Sequence, residues 1–122
     1  MLASKVWLPS GANIIIETLE TLTVIDVNSG KNQSRKEEAL FAVNLEAAKE
    51  IARQLRLRNL SGMIIVDFIN LKTKEQQQTL ISVLREELKK DTVPASFIDI
   101  TKLGLVELTR KKVYKALHEI LS

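Results

Sequence analysis

The chain has 122 residues, a formal net charge of +3, 45% hydrophobic and 27% charged residues, one histidine and no cysteine. That length suits a single domain over 1–122, with a real core but little room for a complete multipart enzyme. Disulfides and thiolate metal sites are excluded, no apolar run approaches the ~18 residues of a membrane span, and no signal-peptide pattern opens the chain, so a cytoplasmic location is expected.

In chain order, Lys5 to Leu8 is a short apolar run that stops at the turn signal Pro9-Ser-Gly11, and Asn13 to Glu17 resumes with three consecutive isoleucines. Both read as strands forming an antiparallel entry to a sheet. Leu22 to Val27 follows, ending in Asp26 with Asn28 just beyond; strand alternation puts Leu22, Val24, Asp26 and Asn28 on one face. Ser29-Gly30-Lys-Asn-Gln33 is a polar loop. Ser34-Arg-Lys-Glu37 matches a capping box, so a helix is expected from about Arg35 to about Leu57, with Leu40, Val43, Ala47, Ile51 and Leu55 inward. Asn44 interrupts that apolar stripe. Its bland reading is a satisfied core amide, and its sharper one is a residue that orients an acidic site.

Met63 to Phe68 is a second β-branched apolar run, with Asp67 near its end, and it is expected at the centre of the sheet. Thr73-Lys-Glu-Gln76 is a second capping-box pattern, opening a helix that carries Leu80, Ile81, Leu84 and Leu88 before Pro94. Ala95 to Ile100 and Leu105 to Leu108 read as strands, and Lys111 to Leu121 as a final helix. The fold class is therefore α/β, with a mixed sheet whose central strands are parallel and flanked by helices.

A strand, helix, strand unit leaves its strands parallel, with both carboxyl ends at one edge of the sheet. Asp26 and Asp67 then share that edge, on strands about 4.8 Å apart where adjacent. Two carboxylates flanked by the amides Asn28 and Asn70 suit a hard, oxygen-seeking cation such as Mg²⁺, which can polarise a phosphodiester and acidify an attacking water. The structural alternative is that each acid merely caps the following turn. A Ser-His-Asp triad is poorly served, since His118, the one histidine, lies on the terminal helix pattern. An aspartyl phosphatase of the haloacid dehalogenase type would want an acid where Asn28 stands. Basic side chains at Lys31, Arg35, Lys72, Lys102 and Arg110 are candidates to hold a nucleic-acid backbone.

The blocks Leu22-Thr-Val-Ile-Asp-Val-Asn-Ser-Gly30, Asn44 through Arg58, Gly62-Met-Ile-Ile-Val-Asp-Phe-Ile69 and Leu103-Gly-Leu-Val-Glu-Leu-Thr-Arg110 resemble the ribonuclease E/G endoribonucleases. The likeness is to their catalytic, DNase I-like subdomain, and it runs from about Lys5 to Lys112. The resemblance implies Mg²⁺, with Mn²⁺ as a substitute, held by Asp26 and Asp67 and supported by Asn28. It also implies hydrolysis of single-stranded RNA. The S1 domain, 5′-sensing pocket and RNase H-like part of that family do not fit in this length. The family's zinc link needs paired cysteines, so no zinc is expected. The chain thus reads as an excised subdomain or a minimal relative, for which a homo-oligomer, weak activity or none in isolation, or a non-enzymatic RNA-contacting or protein-interaction scaffold are further expectations.

Overall fold

The computed structural model describes residues 3–30 and 35–113. Six strands form one mixed sheet in the order β1-β2-β3-β4-β6-β5. They are β1 (Ala3–Trp7), β2 (Asn13–Thr18), β3 (Leu22–Asn28), β4 (Gly62–Asp67), β5 (Ala95–Ile100) and β6 (Val106–Arg110), with helices α1 (Glu37–Leu57) and α2 (Lys74–Lys89) between β3 and β4 and between β4 and β5. Among the described residues only β3 and β4 run parallel, and the other pairings are antiparallel. The expected α/β class, the antiparallel entry and the central position of β4 are all present.

The helices pack side by side against one face of the sheet. Strand alternation sends Ile14, Ile16, Ile25, Val27, Ile64, Val66, Val106 and Leu108 into that layer, where they meet Val43, Ala47, Ile51 and Leu55 of α1 and Leu80, Leu84 and Leu88 of α2. Burying each large aliphatic side chain contributes roughly 1.5–3 kcal/mol. The opposite face carries the other half of each strand, including Trp7, Ile15, Val24, Asp26, Asn28 and Met63, and neither described helix covers it.

One helix start differs from expectation. Helix α1 begins at Glu37 with Lys36 in the N-cap position, and the Lys36 side chain makes no cap hydrogen bond. Glu37 is therefore the first helical residue, two positions too early to close a box with Ser34, which lies outside the described residues. The acids Glu37 and Glu38 in the first turn complement the helix dipole instead. The second box is half present: the Thr73 hydroxyl accepts from the Gln76 N–H at 3.1 Å. Thr73→Ala is expected to cost about 1 kcal/mol in urea denaturation, and an unchanged midpoint would mean that the cap contributes nothing.

At its other end α1 closes with Asn59 at φ 49°, a left-handed position that asparagine tolerates, while the Leu60 N–H reaches back to the Leu55 carbonyl at 3.0 Å. This turns the chain sharply into β4. The expected terminal helix, apart from its first residues 111–113, lies outside the described residues, as does His118.

Candidate functional site

The two acids come together because β3 and β4 pair in parallel with Asp26 directly opposite Asp67. Each follows an apolar strand interior, Val24-Ile25 in one case and Ile65-Val66 in the other. Directly opposed residues point to the same side of a sheet, so both carboxylates project from the face away from the helices. Asp26 is half-buried and Asp67 exposed at the strand end.

Burial pushes the Asp26 carboxyl above the ordinary carboxylate range, and the neighbouring Asp67 charge pushes it in the same direction. Hydrogen bonds from the Asn28 side chain and the Val27 backbone pull it back only in part. Asn28 thus does join Asp26, from two residues further along the same strand face. On its far side its Nδ2 lies 3.5 Å from Oδ1 of Asn13, the long limit of a hydrogen bond. Asn13 is 8% exposed and pairs opposite Asn28 in the sheet. Nothing in the sequence singled it out, because the isoleucine run after it hides which alternate positions face the acids.

Asn44 is fully buried on α1 and clamps the chain just past Asp67. Its Nδ2 donates to the Ile69 carbonyl at 2.8 Å and its Oδ1 accepts from the Ile69 N–H at 3.0 Å. The amide that broke the apolar stripe is therefore satisfied, and by the backbone segment that carries one of the acids.

Beside Asp67 a cavity of about 180 Å³ is lined by Ile69, Asn70, Gln77, Leu103 and Gly104 among others. Lys102 sits exposed in the turn that supplies Leu103 and Gly104. A smaller hollow of about 50 Å³ adjoins Asn70 and brings Arg35 and Lys72 together. Lys72 Nζ lies 3.7 Å from a Glu37 carboxylate oxygen, with most of the side chain in solvent. Three of the basic candidates thus gather around the acid end of the sheet. Lys31 lies outside the described residues.

Arg110 is a correction. It closes β6 at the opposite end of the sheet, paired with Gly62 and Ala95, and its side chain is 3% exposed. Its Nε donates to Asp91 at 2.8 Å, its Nη1 to Asn59 Oδ1 at 2.8 Å and to the Leu60 carbonyl at 3.0 Å. A guanidinium committed in this way to the interior cannot also grip a nucleic acid at the Asp edge. A wider hollow, about 570 Å³, also lies at this far end, among Thr18 to Thr23, Ser61 and Lys111. It offers one carboxylate, Glu20, and no acid pair, so size alone does not make it the site.

Among the described residues no three His, Cys, Asp or Glu side chains cluster as metal ligands. What this edge offers is two opposed carboxylates and the amide of Asn28 beside one of them. No helix among them is long and apolar enough to cross a membrane.

A family model described as "Ribonuclease E/G family" matches residues 1–113. The chain is 46% identical over 121 residues to a ribonuclease E of Nostoc sp., covering 98% of this chain and 18% of the relative. It is 42% identical over 123 residues to a ribonuclease E/G-like protein of Pyropia yezoensis, covering 99% and 24%. A ribonuclease G of Haemophilus influenzae matches at 42% over 122 residues, covering 98% and 25%. The chain therefore spans a quarter or less of the length of these relatives. With the matched region running through every described strand and helix, including both acids and the clamp that holds the second, the chain belongs to the ribonuclease E/G family.

Proposed function

We propose that this domain is the metal-holding part of an endoribonuclease that hydrolyses phosphodiester bonds of single-stranded RNA in an Mg²⁺-dependent reaction. The observation that carries the reading is the register of Asp26 against Asp67 on neighbouring parallel strands. Two like charges so placed raise each other's free energy, and a divalent cation between them turns that cost into binding. The donor set fits Mg²⁺, which commonly takes one or two protein carboxylates and keeps water in its remaining positions; it does not fit a structural zinc site, which wants four protein ligands.

Asp26 and Asp67 would hold the ion, with Mn²⁺ able to replace Mg²⁺. Asn28 donates to Asp26 and fixes the orientation of its carboxylate. When bound, the ion supplies Lewis-acid polarisation of a phosphoryl oxygen and lowers the pKa of a water. Attack of water at phosphorus would leave a 5′ phosphate and a 3′ hydroxyl. Arg35, Lys72 and Lys102 border the same end and would hold the RNA backbone without reading its sequence. The acid edge is shallow, so the chain alone grips RNA weakly and is expected to turn over slowly or not at all. The absence of cysteine fits work in a reducing compartment such as the cytoplasm.

The test is an Mg²⁺ titration followed by backbone NMR, with Mn²⁺ broadening as a second readout, on the unaltered chain and on Asp26→Asn and Asp67→Asn. Perturbations should centre on 26–28 and 67 and be lost in both variants. A titration to millimolar metal without localised change would defeat the metal reading. Salt-sensitive RNA binding that ignores Mg²⁺ and both substitutions would then identify the domain as an RNA-contacting scaffold.

A further inference from the structure

The only tryptophan of the chain, Trp7, is 64% exposed. An indole is among the largest apolar surfaces a protein can display, and leaving it in water forfeits the stabilisation its burial would bring. Its position in the sheet is informative. Trp7 pairs opposite Asn13, and Asn13 opposite Asn28, so the three side chains form one row across β1, β2 and β3. In the next row Lys5 pairs opposite Ile15, Ile15 opposite Asp26, and Asp26 opposite Asp67. Both rows lie on the face that the two described helices leave open. Trp7 therefore stands on the same surface as the acids, two strands from Asn28, or about 10 Å at the usual strand spacing.

Lys5 holds its Nζ over one face of the Trp7 ring, 5.1 Å from the ring centre, so a base that stacks on the indole takes the opposite face. The pair joins a flat aromatic surface to a positive charge; Asn13 stands between Trp7 and Asn28, and Ile15 between Lys5 and Asp26. An exposed aromatic beside a cation, on a path leading to a phosphate-handling site, is the combination by which proteins hold single-stranded nucleic acid: the base stacks on the ring and the cation attends its phosphate. A purely apolar partner would have no use for the ammonium.

We infer that Trp7 and Lys5 form a nucleobase-stacking subsite, which receives a base close to the scissile phosphate of an RNA strand lying across the open face toward Asp26 and Asp67. The identity of the ligand rests on the ribonuclease reading above; the stacking surface itself does not require the metal. The RNA strand enters along β1, at the edge of the sheet, and the stacked base fixes its position relative to the acid pair. Because stacking accepts any base, the subsite sets position and not sequence.

Trp7 is its own probe. In EDTA, which prevents metal-dependent cleavage, an oligouridylate should quench Trp7 fluorescence saturably, while an abasic ribose-phosphate strand of the same length should not. In anisotropy with the labelled oligouridylate, Trp7→Ala should weaken binding ~5- to 150-fold, as expected for loss of one stacked base. Trp7→Phe should recover much of it. Trp7 is exposed on an edge strand, so NMR shifts outside β1 and β2 should be unchanged in both variants. Equal quenching by the abasic strand, no quenching, or Trp7→Ala binding as tightly as the unaltered chain would each overturn the inference. Failure of the metal titration with quenching intact would remove the metal reading and leave the stacking surface. Persistence of quenching in Asp26→Asn would support a subsite independent of the metal.

Discussion

Arg110→Met should destabilise the domain by about 3–5 kcal/mol at neutral pH, the usual cost of removing one member of a buried ion pair. Asp91 and Arg110 are each 3% exposed at their side chains, and Asp91 accepts from the Arg110 Nε at 2.8 Å. Burial alone would push the Asp91 carboxyl up. Hydrogen bonds from Arg110 and the Val93 N–H, with the charges of Arg110 and Arg56, outweigh that and hold it below its ordinary value of 3.8. A carboxyl whose folded pKa is depressed adds stability above its unfolded pKa and loses it as pH falls through the folded value. In the unaltered chain this contribution is thus complete at neutral pH and fades only below about pH 4.

In Arg110→Met the balance reverses. Burial, already the largest single influence on Asp91, is no longer outweighed, so the carboxyl is pushed upward and the variant should regain stability as acid protonates it. The gap between the two urea midpoints should therefore be widest near pH 7 and narrow toward pH 4. Asp91→Asn combined with Arg110→Met should cost less than Arg110→Met alone, since no buried charge is stranded. Equal gaps at both pH values would show that the pair carries no such weight.

The second large effect is expected from Asn44→Ala. The substitution leaves the N–H and the carbonyl of Ile69 without their partner in a partly buried setting, at up to about 1–3 kcal/mol for each group. Asn44→Asp keeps the acceptor for the Ile69 N–H but sets a carboxylate against the Ile69 carbonyl, so at neutral pH it should also be destabilising. The functional consequence is more specific than the loss of stability. The clamp holds the residue two positions beyond Asp67, and small misplacements of a reacting geometry can cost on the order of a hundredfold in rate. In the metal titration, Asn44→Ala should weaken the response at Asp67 more than the response at Asp26. Equal attenuation at both acids would make Asn44 an ordinary core residue.

The acids were readable from the chain because each closes a short apolar run bounded by turn residues, and one long helical pattern between the runs dictates parallel strands. Only a slip in register could have separated them, and Asp26 does pair with Asp67. Arg110 was not readable. It follows a β-branched strand among other basic residues, and only the packing of α2's carboxyl end reveals that Asp91 waits beside it. Asn44 showed itself as an anomaly on an apolar stripe, but its partner is backbone, which leaves no mark in the sequence. The start of α1 was misplaced because the spacing of Ser34 and Glu37 is necessary for a capping box without being sufficient for one. Trp7 was visible as a residue and invisible as a neighbour of the acids, since β1 reaches them only through two successive antiparallel pairings.

The parallel pairing of β3 and β4 also bears on the order in which the domain assembles. The β1–β2–β3 and β5–β6 pairings link neighbours in sequence and close over short loops, whereas β3 and β4 have all of α1 between them. Pairing across so long a connection bears its loop-closure entropy before any contact offsets it, and so comes late in folding. Asp26 and Asp67 are therefore strangers through most of the folding reaction, and their repulsion belongs to the finished fold alone. Whatever relieves that repulsion would lengthen the lifetime of the native state and leave the rate of reaching it nearly untouched.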